Sequence, residues 1–435
     1  MTLVSSRRAS VGALLAAGVL ALALGGCGGG SGGSSGDAQL RVLNVSSDVS
    51  SVDLALDSAT TVKAAAVDTL TDYTGVSADT YSVDVLATGS SSSLNNSSRS
   101  FTKDQHYTAV VWGRQSAIKL STLPEDEDES SISSGKAKLR IFSATADLGN
   151  LDVYLTRDET ALDSTSPVAS SVASAGLSSY ATLDSGSWRL RVTGAGDSGD
   201  LRLDVPAITL ADKKYNTVVL TAGAGGVLVH ASVLVQQQGG LATAKNTQAR
   251  LRVVAGVESK GSVGVAWNGS TLAGGLRSPA VAPYALVTAG EHALELRLNG
   301  SVASTGSATL TAGADYTLLA YGDAAAPKLS LLSDDNRLPS STSRAKLRLV
   351  HGAATADALT LSVDYAALIS DLAPGSSSAF TTLTANSSAR LDVSSVSAAD
   401  ALYSATDVNL QALGVYTVFI LGGNGTPTGV LRKDR

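Results

Sequence analysis

Four segments of the chain open with the same pattern, Ala-x-Leu-Arg followed by an apolar residue, and align without a gap. They begin at Ala38, Ala137, Ala249 and Ala345, which puts Leu40/Arg41, Leu139/Arg140, Leu251/Arg252 and Leu347/Arg348 in register. The spacings are 99, 112 and 96 residues. Solenoid units repeat every ~20–50 residues, so periods this long mark tandem domains. Each unit carries the same later landmarks. An aromatic stands mid-unit (Tyr73, Tyr180, Tyr284, Phe380), and an alternating apolar/polar run follows, such as Tyr81–Leu86 or Trp188–Val192. A tyrosine then leads an apolar run, at Tyr107, Tyr215, Tyr316 and Tyr416, and a glycine closes each one (Gly113, Gly223, Gly322, Gly422).

Alternation at period two is the pattern of a strand wet on one face and buried on the other, and β-branched runs bounded by Gly and Ser read as central strands. Only 16% of residues are charged, and 43 are glycine, which suits short strands joined by small-residue turns. The fold class predicted is all-β: four tandem antiparallel β-sandwich domains, immunoglobulin-like, of about seven strands each. Their boundaries fall at residues 38–123, 137–235, 249–332 and 345–435. Between them lie the acidic stretch Pro124–Lys136, the Gln-rich Gln236–Gln248 and the polar Ser333–Arg344, which read as solvated linkers between separate folding units.

Ahead of the repeats, Arg7 and Arg8 precede an uncharged apolar run from Val11 to Leu24, and Leu24-Gly25-Gly26-Cys27 follows. The run is too short to span ~30 Å of hydrocarbon as a helix, but suits a signal-peptide core. The chain's single Cys falls at the one position that a bacterial lipoprotein lipobox needs. Residues 1–26 therefore read as a lipoprotein signal peptide and Cys27 as the lipid attachment site. Residues 27–37 form a Gly/Ser tether. Gly28 rather than Asp after the Cys favours the outer membrane, by resemblance to lipoprotein sorting in Gram-negative bacteria. Cleavage removes two Arg and no acid, leaving a chain more negative than the −6 of the precursor. The predicted membrane partner is thus reached through lipid and not through a polybasic patch.

The opening Leu-Arg-Val, the stretch Val52-Asp53-Leu-Ala-Leu-Asp57 and the later Tyr107-Thr-Ala-Val-Val-Trp-Gly113 resemble the bacterial domain-of-unknown-function 4397 family (DUF4397). Repeats one and two match best, since Asp152 takes the place of Asp53; repeats three and four carry Gly264 and Thr360 there. The resemblance implies tandem β-sandwich modules of an exported protein. It transfers no activity and no catalytic residues.

Motifs that could carry chemistry fare poorly. Gly194-Ala-Gly196-Asp-Ser-Gly199 matches G-x-G-x-x-G, yet a strand-like alternation follows where a dinucleotide site needs a helix. Ser198 in the same stretch lacks a preceding His in its repeat to serve as base. His106, His230, His292 and His351 occupy unrelated repeat positions, which disfavours a shared metal centre. The run Glu125–Glu129 reads as a solvated linker, with calcium as the alternative. The pre-strand tyrosines read as core residues whose hydroxyls bond backbone, with a recognition stripe as the alternative. No catalytic, cofactor-binding or metal-binding residue is predicted, and no cofactor.

A net charge of −6 argues against nucleic acid as partner. The reading is a non-enzymatic, lipid-anchored envelope protein acting as a spacer, adhesion or binding scaffold toward a surface protein or glycan. The alternative is a periplasmic ligand-binding or enzyme-accessory lipoprotein, with carbohydrate as the candidate ligand. Its three Trp (Trp112, Trp188, Trp267) stand at different repeat positions and form no shared sugar platform.

Overall fold

The computed structural model describes residues 36–237, 239–258, 261–354, 357–423 and 427–435. Cys27, the signal peptide and most of the tether lie outside the described residues. The described chain is all-β and consists of four β-sandwiches, each made of two sheets.

Each sandwich has one sheet built around its Ala-x-Leu-Arg strand. These opening strands are Ala38–Ser46, Lys136–Ala144, Gln248–Val257 and Arg344–Ala353. Each pairs in parallel with the tyrosine-led strand, respectively His106–Gly113, Tyr215–Ala222, Asp315–Gly322 and Val415–Gly422. A closing strand lies antiparallel beyond it: Lys119–Pro124, Val229–Val235, Lys328–Asp334 and Thr428–Lys433. The second sheet of each sandwich is four-stranded and wholly antiparallel, as in Ser51–Leu56 between Ala59–Ala66 and Thr80–Ala87. Two details depart from the expectation. The sandwiches hold eight or nine described strands rather than about seven, and one pairing in each is parallel.

Four apolar cores fill the sandwiches. Along the first opening strand Leu40 and Val42 point into the core, as the period of two requires. Leu43 and Val45 point the other way and are buried as well. With Val110, Trp112 and Leu123 they meet Phe142, Ala144, Val219 and Leu234 of the second sandwich in one cluster. Sandwiches three and four meet likewise through Val254, Leu319, Val350, Phe419 and Leu421. These sheets are therefore covered on both faces, which is why their strands read as nearly continuous apolar runs rather than alternating ones.

Such packing corrects the expectation of separate units on solvated linkers: the sandwiches associate face to face, one with two and three with four. Sandwich two also touches three, where the Gly225 N–H donates to the Gly313 carbonyl at 2.9 Å. A Cβ on Gly225 would sit 2.4 Å from the Asp315 nitrogen, so only glycine allows this approach.

The acidic stretch is built into the fold as well. Glu125 is 2% exposed. Asp126 accepts from the His106 ring at 2.8 Å, Asp128 caps a short 3-10 turn through the Ser130 N–H, and Glu129 pairs with Lys214 at 2.5 Å. These four charges are engaged rather than left to water.

Candidate functional site

The arginine that defines the repeat is buried every time: Arg41, Arg140, Arg252 and Arg348 are 3, 6, 3 and 1% exposed. A guanidinium out of water must have its donors satisfied. The parallel pairing supplies the first acceptor, because it sets each arginine beside a threonine of the tyrosine-led strand. Nε donates to Oγ1 of Thr108, Thr217, Thr317 and Thr417 at 2.9, 3.0, 2.8 and 3.0 Å. The mid-unit aromatic supplies the second contact. Tyr73, Tyr180, Tyr284 and Phe380 lie under the guanidinium at 4.7, 4.7, 4.6 and 4.6 Å from ring centre to Cζ.

The third contact comes from the partner sandwich. Arg348 donates to Asp334 at the end of the third sandwich, and Arg252 to Asp434 at the end of the fourth. In the first pair, Arg140 reaches the Pro124 carbonyl at 3.0 Å, while Arg41 reaches the carbonyls of Val235 and Gln237 at 3.0 and 2.8 Å. Each sandwich thus clasps the closing strand of its partner and is clasped in return, the reciprocity of an approximately two-fold interface.

A carboxylate completes three of the four clasps. Glu125, Asp334 and Asp434 occupy one register position, opposite the residue before the tyrosine. Each accepts the threonine hydroxyl of its own sandwich, Thr108, Thr317 or Thr417. Gln236 holds that position in the second sandwich, where Thr217 lies opposite Leu234. Tyr73 donates to Glu125, and Tyr284 to Asp334 at 2.5 Å. Burial, with these carboxylates alongside, raises both phenols well above the ordinary tyrosine range. Burial likewise pushes Tyr180 up to about 12. All three therefore remain hydrogen-bond donors at neutral pH.

Three of the pre-strand tyrosines do what the sequence predicts. Tyr107, Tyr316 and Tyr416 accept the backbone N–H five residues earlier, from Thr102, Thr311 and Gln411, at 3.2, 3.1 and 2.9 Å. Tyr215 does not. The register places Asn216 at the tyrosine position, and Asn216 donates to the Lys138 and Lys214 carbonyls instead. The Tyr215 ring packs edge-on to Tyr180 at 4.9 Å.

Asp53 and Asp152 also have structural work. In each second sheet one bulge residue takes a left-handed conformation: Ala64, Ser171, Gly275 and Asp371, at φ of 52, 50, 67 and 57°. The N–H groups of Ala64 and Ser171 donate to Asp53 and Asp152 at 2.8 and 2.7 Å. That bond holds the Asp53 carboxyl below its ordinary pKa. Gly264 in the third repeat faces a bulge whose left-handed residue is itself glycine, which needs no such support.

The glycine-rich stretch is a hairpin turn, since Gly194 pairs with Asp197 across Ala195 and Gly196. The histidines are dispersed. His106 faces Asp126, His292 stacks on Trp267 and bonds Asn268, and His351 contacts the Asp357 carbonyl. His230 accepts the Asn246 N–H, and burial lowers its pKa to about 4.

No curated protein sequence matches the chain. Among solved structures it is similar to the TIE protein of Bacillus anthracis at 11% identity, over 64% of this chain and 49% of that one, with a TM-score of 0.15. The chain thus spans about half the length of that protein. The family model described as "Domain of unknown function (DUF4397)" matches residues 38–154 and 249–362. Each match begins at the opening strand of one sandwich and runs into the sandwich paired with it. With more than half its length so matched, this chain belongs to the DUF4397 family and carries its domains in tandem.

Proposed function

We propose that the protein is a non-catalytic scaffold of the bacterial cell envelope, anchored in the outer membrane by lipid on Cys27. One observation carries the non-catalytic part. The polar side chains that recur through the repeats are spent on holding the fold: the arginines, threonines and carboxylates clasp paired sandwiches, and the tyrosine hydroxyls fix backbone. Recurrent chemistry serves assembly, so function falls to the surfaces that the paired sandwiches present. The anchor is supported by the sequence pattern at Cys27 and by the Gly/Ser tether before Ala38.

Detergent phase partitioning tests the anchor. Wild type is expected in the detergent phase and Cys27→Ser in the aqueous phase, and equal partitioning sinks the anchor. Protease accessibility on intact cells then distinguishes a periplasmic from an external orientation. The alternative, a ligand-binding lipoprotein, draws support from one cavity between the third and fourth sandwiches.

A further inference from the structure

Each pair of sandwiches leaves a cavity at its clasp. In the first pair it measures about 430 Å³ and is walled by Arg41, Tyr73, Asp68, Asp72, Gln237 and Leu241, among others. In the second pair it measures about 450 Å³ and is walled by Arg252, Tyr284, Arg250, Arg432, Lys433 and Asp434. The floors correspond, since Arg41 and Arg252 share one repeat position and Tyr73 and Tyr284 another. The rims differ in charge: Asp72 and a Lys245-paired Asp68 in the first, the further cations Arg250 and Arg432 in the second.

One cation of the second rim, Arg432, is not there to satisfy the fold. Closing-strand register places Arg432 opposite Thr417, where the other sandwiches put Leu123, Leu234 and Leu332 opposite Thr108, Thr217 and Thr317. Those three leucines pack into the inter-sandwich clusters. Arg432 is exposed and has no acidic partner among the described residues. A cation therefore replaces an apolar packing residue and stands open to solvent. Arg250 is 14% exposed at its side chain, and its one carboxylate, Asp315, lies at a loose 3.6 Å. Its guanidinium is held over the Tyr284 ring at 4.3 Å. Lys433, next to Arg432 along the strand, turns to the opposite face and donates to Gln411. Asp434, the only acid among the described residues of the cavity wall, is already taken by Arg252 and Thr417.

We propose that this cavity binds a small organic anion carrying phosphate or carboxylate groups, held by Arg250 and Arg432. The volume suits a small molecule better than a bare ion, for ligand pockets run from ~300 to 1,000 Å³. Guanidinium forks match phosphate and carboxylate oxygens in pairs. The sister cavity of the first pair has no cation among its described wall residues beyond the clasped Arg41, and its Asp72 opposes the same ligand, so the chain contains its own control.

Calorimetric titration of the full mature protein with pyrophosphate and with citrate tests this. One saturable site is expected for at least one probe, weakening as salt rises; the preferred probe names the anionic group. Arg432→Gln, on an exposed edge, should weaken binding by about tenfold or more, the usual loss for a hydrogen bond to a charged group. Arg250→Gln should do the same, and Asp72→Asn in the sister cavity should change nothing. Absence of saturation by either probe up to about 1 mM would overturn the proposal. So would an affinity unchanged in Arg432→Gln with the fold intact by circular dichroism.

Discussion

Arg348 and Asp334 belong to different sandwiches, yet their side chains meet at 2.6 Å with 1% and 0% of their surfaces exposed. Asp334 also accepts from Thr317 and Tyr284 of its own sandwich. One carboxylate thus ties a strand pair, a ring and the neighbouring domain together. Arg252 and Asp434 make the return contact, so each arginine meets its close counter-charge only when both sandwiches are present.

Breaking that pair should be costly. Asp334→Ala leaves the Arg348 guanidinium buried without its counter-charge, a change that typically costs ~3–5 kcal/mol. Urea unfolding of the variant should show the loss directly. The double variant Asp334→Leu/Arg348→Met should lose less than the two single variants together, because no charge is then stranded. A cost for Asp334→Ala below about 1 kcal/mol would mean that the clasp is solvated and does not join the domains.

The pair, not the single sandwich, should be the folding unit. A fragment of residues 247–435 keeps Val254, Leu319, Val350 and Phe419 covered. A fragment of residues 343–435 exposes the last two with Leu421 and strands Arg348. Each large apolar side chain returned to water costs ~1.5–3 kcal/mol. The longer fragment should unfold cooperatively with β-type circular dichroism, and the shorter one should bind a hydrophobic dye or aggregate. A shorter fragment as stable as the longer would restore independent sandwiches.

Much of this was legible in the sequence, for identifiable reasons. The recurrence of Leu40/Arg41 fixed the repeat, and the alternation of Tyr81–Leu86 fixed a half-wet strand, because both signals are local. Pairing of sandwiches was not recovered, although its sign was present: Leu43 and Val45 break the alternation by being apolar on the outward face. An outward apolar residue can cover a loop, a second domain or a partner, and periodicity does not distinguish them. The burial of Glu125 was likewise hidden, since an acidic run reads as solvated unless the arginine it meets, 84 positions away, is known. The cavity rim was invisible for the same reason: Arg250 and Arg432 converge only through the pairing.

Tyrosine chemistry separates the repeats. Tyr316 is 8% exposed and its hydroxyl accepts the Thr311 N–H, so Tyr316→Ala should cost about 3–5 kcal/mol, the range for a buried aromatic. Tyr316→Phe should cost about 1 kcal/mol, that of one hydrogen bond. Tyr215→Phe should cost less, because its hydroxyl has only a long 3.4 Å contact with Ser131. Equal losses in Tyr316→Phe and Tyr215→Phe by thermal unfolding would contradict the register that puts Asn216 in the tyrosine's place.

The junction of sandwiches two and three should show two opposed titrations. His230 stands against Gly313 with a pKa lowered by burial from 6.5 to about 4. Two residues on, Asp315 has its pKa raised by burial from 3.8 to about 6, against the opposing pull of Arg250. For His230 the unfolded chain binds the extra proton, so its contribution is present above pH ~6.5 and lost as pH falls toward ~4. For Asp315 the folded chain binds it, so stability is gained as pH falls from ~6 to ~3.8 and lost again above. Each shift is worth on the order of 3 kcal/mol, and the two nearly cancel in the wild type. Single variants should unmask them. Relative to wild type, His230→Gln should gain stability as pH falls from about 6 to about 4, and Asp315→Asn should lose it over the same range. Chemical denaturation at half-unit pH steps gives both difference curves. If the two run parallel, or both stay flat, then neither group is buried at this junction as the structure has it.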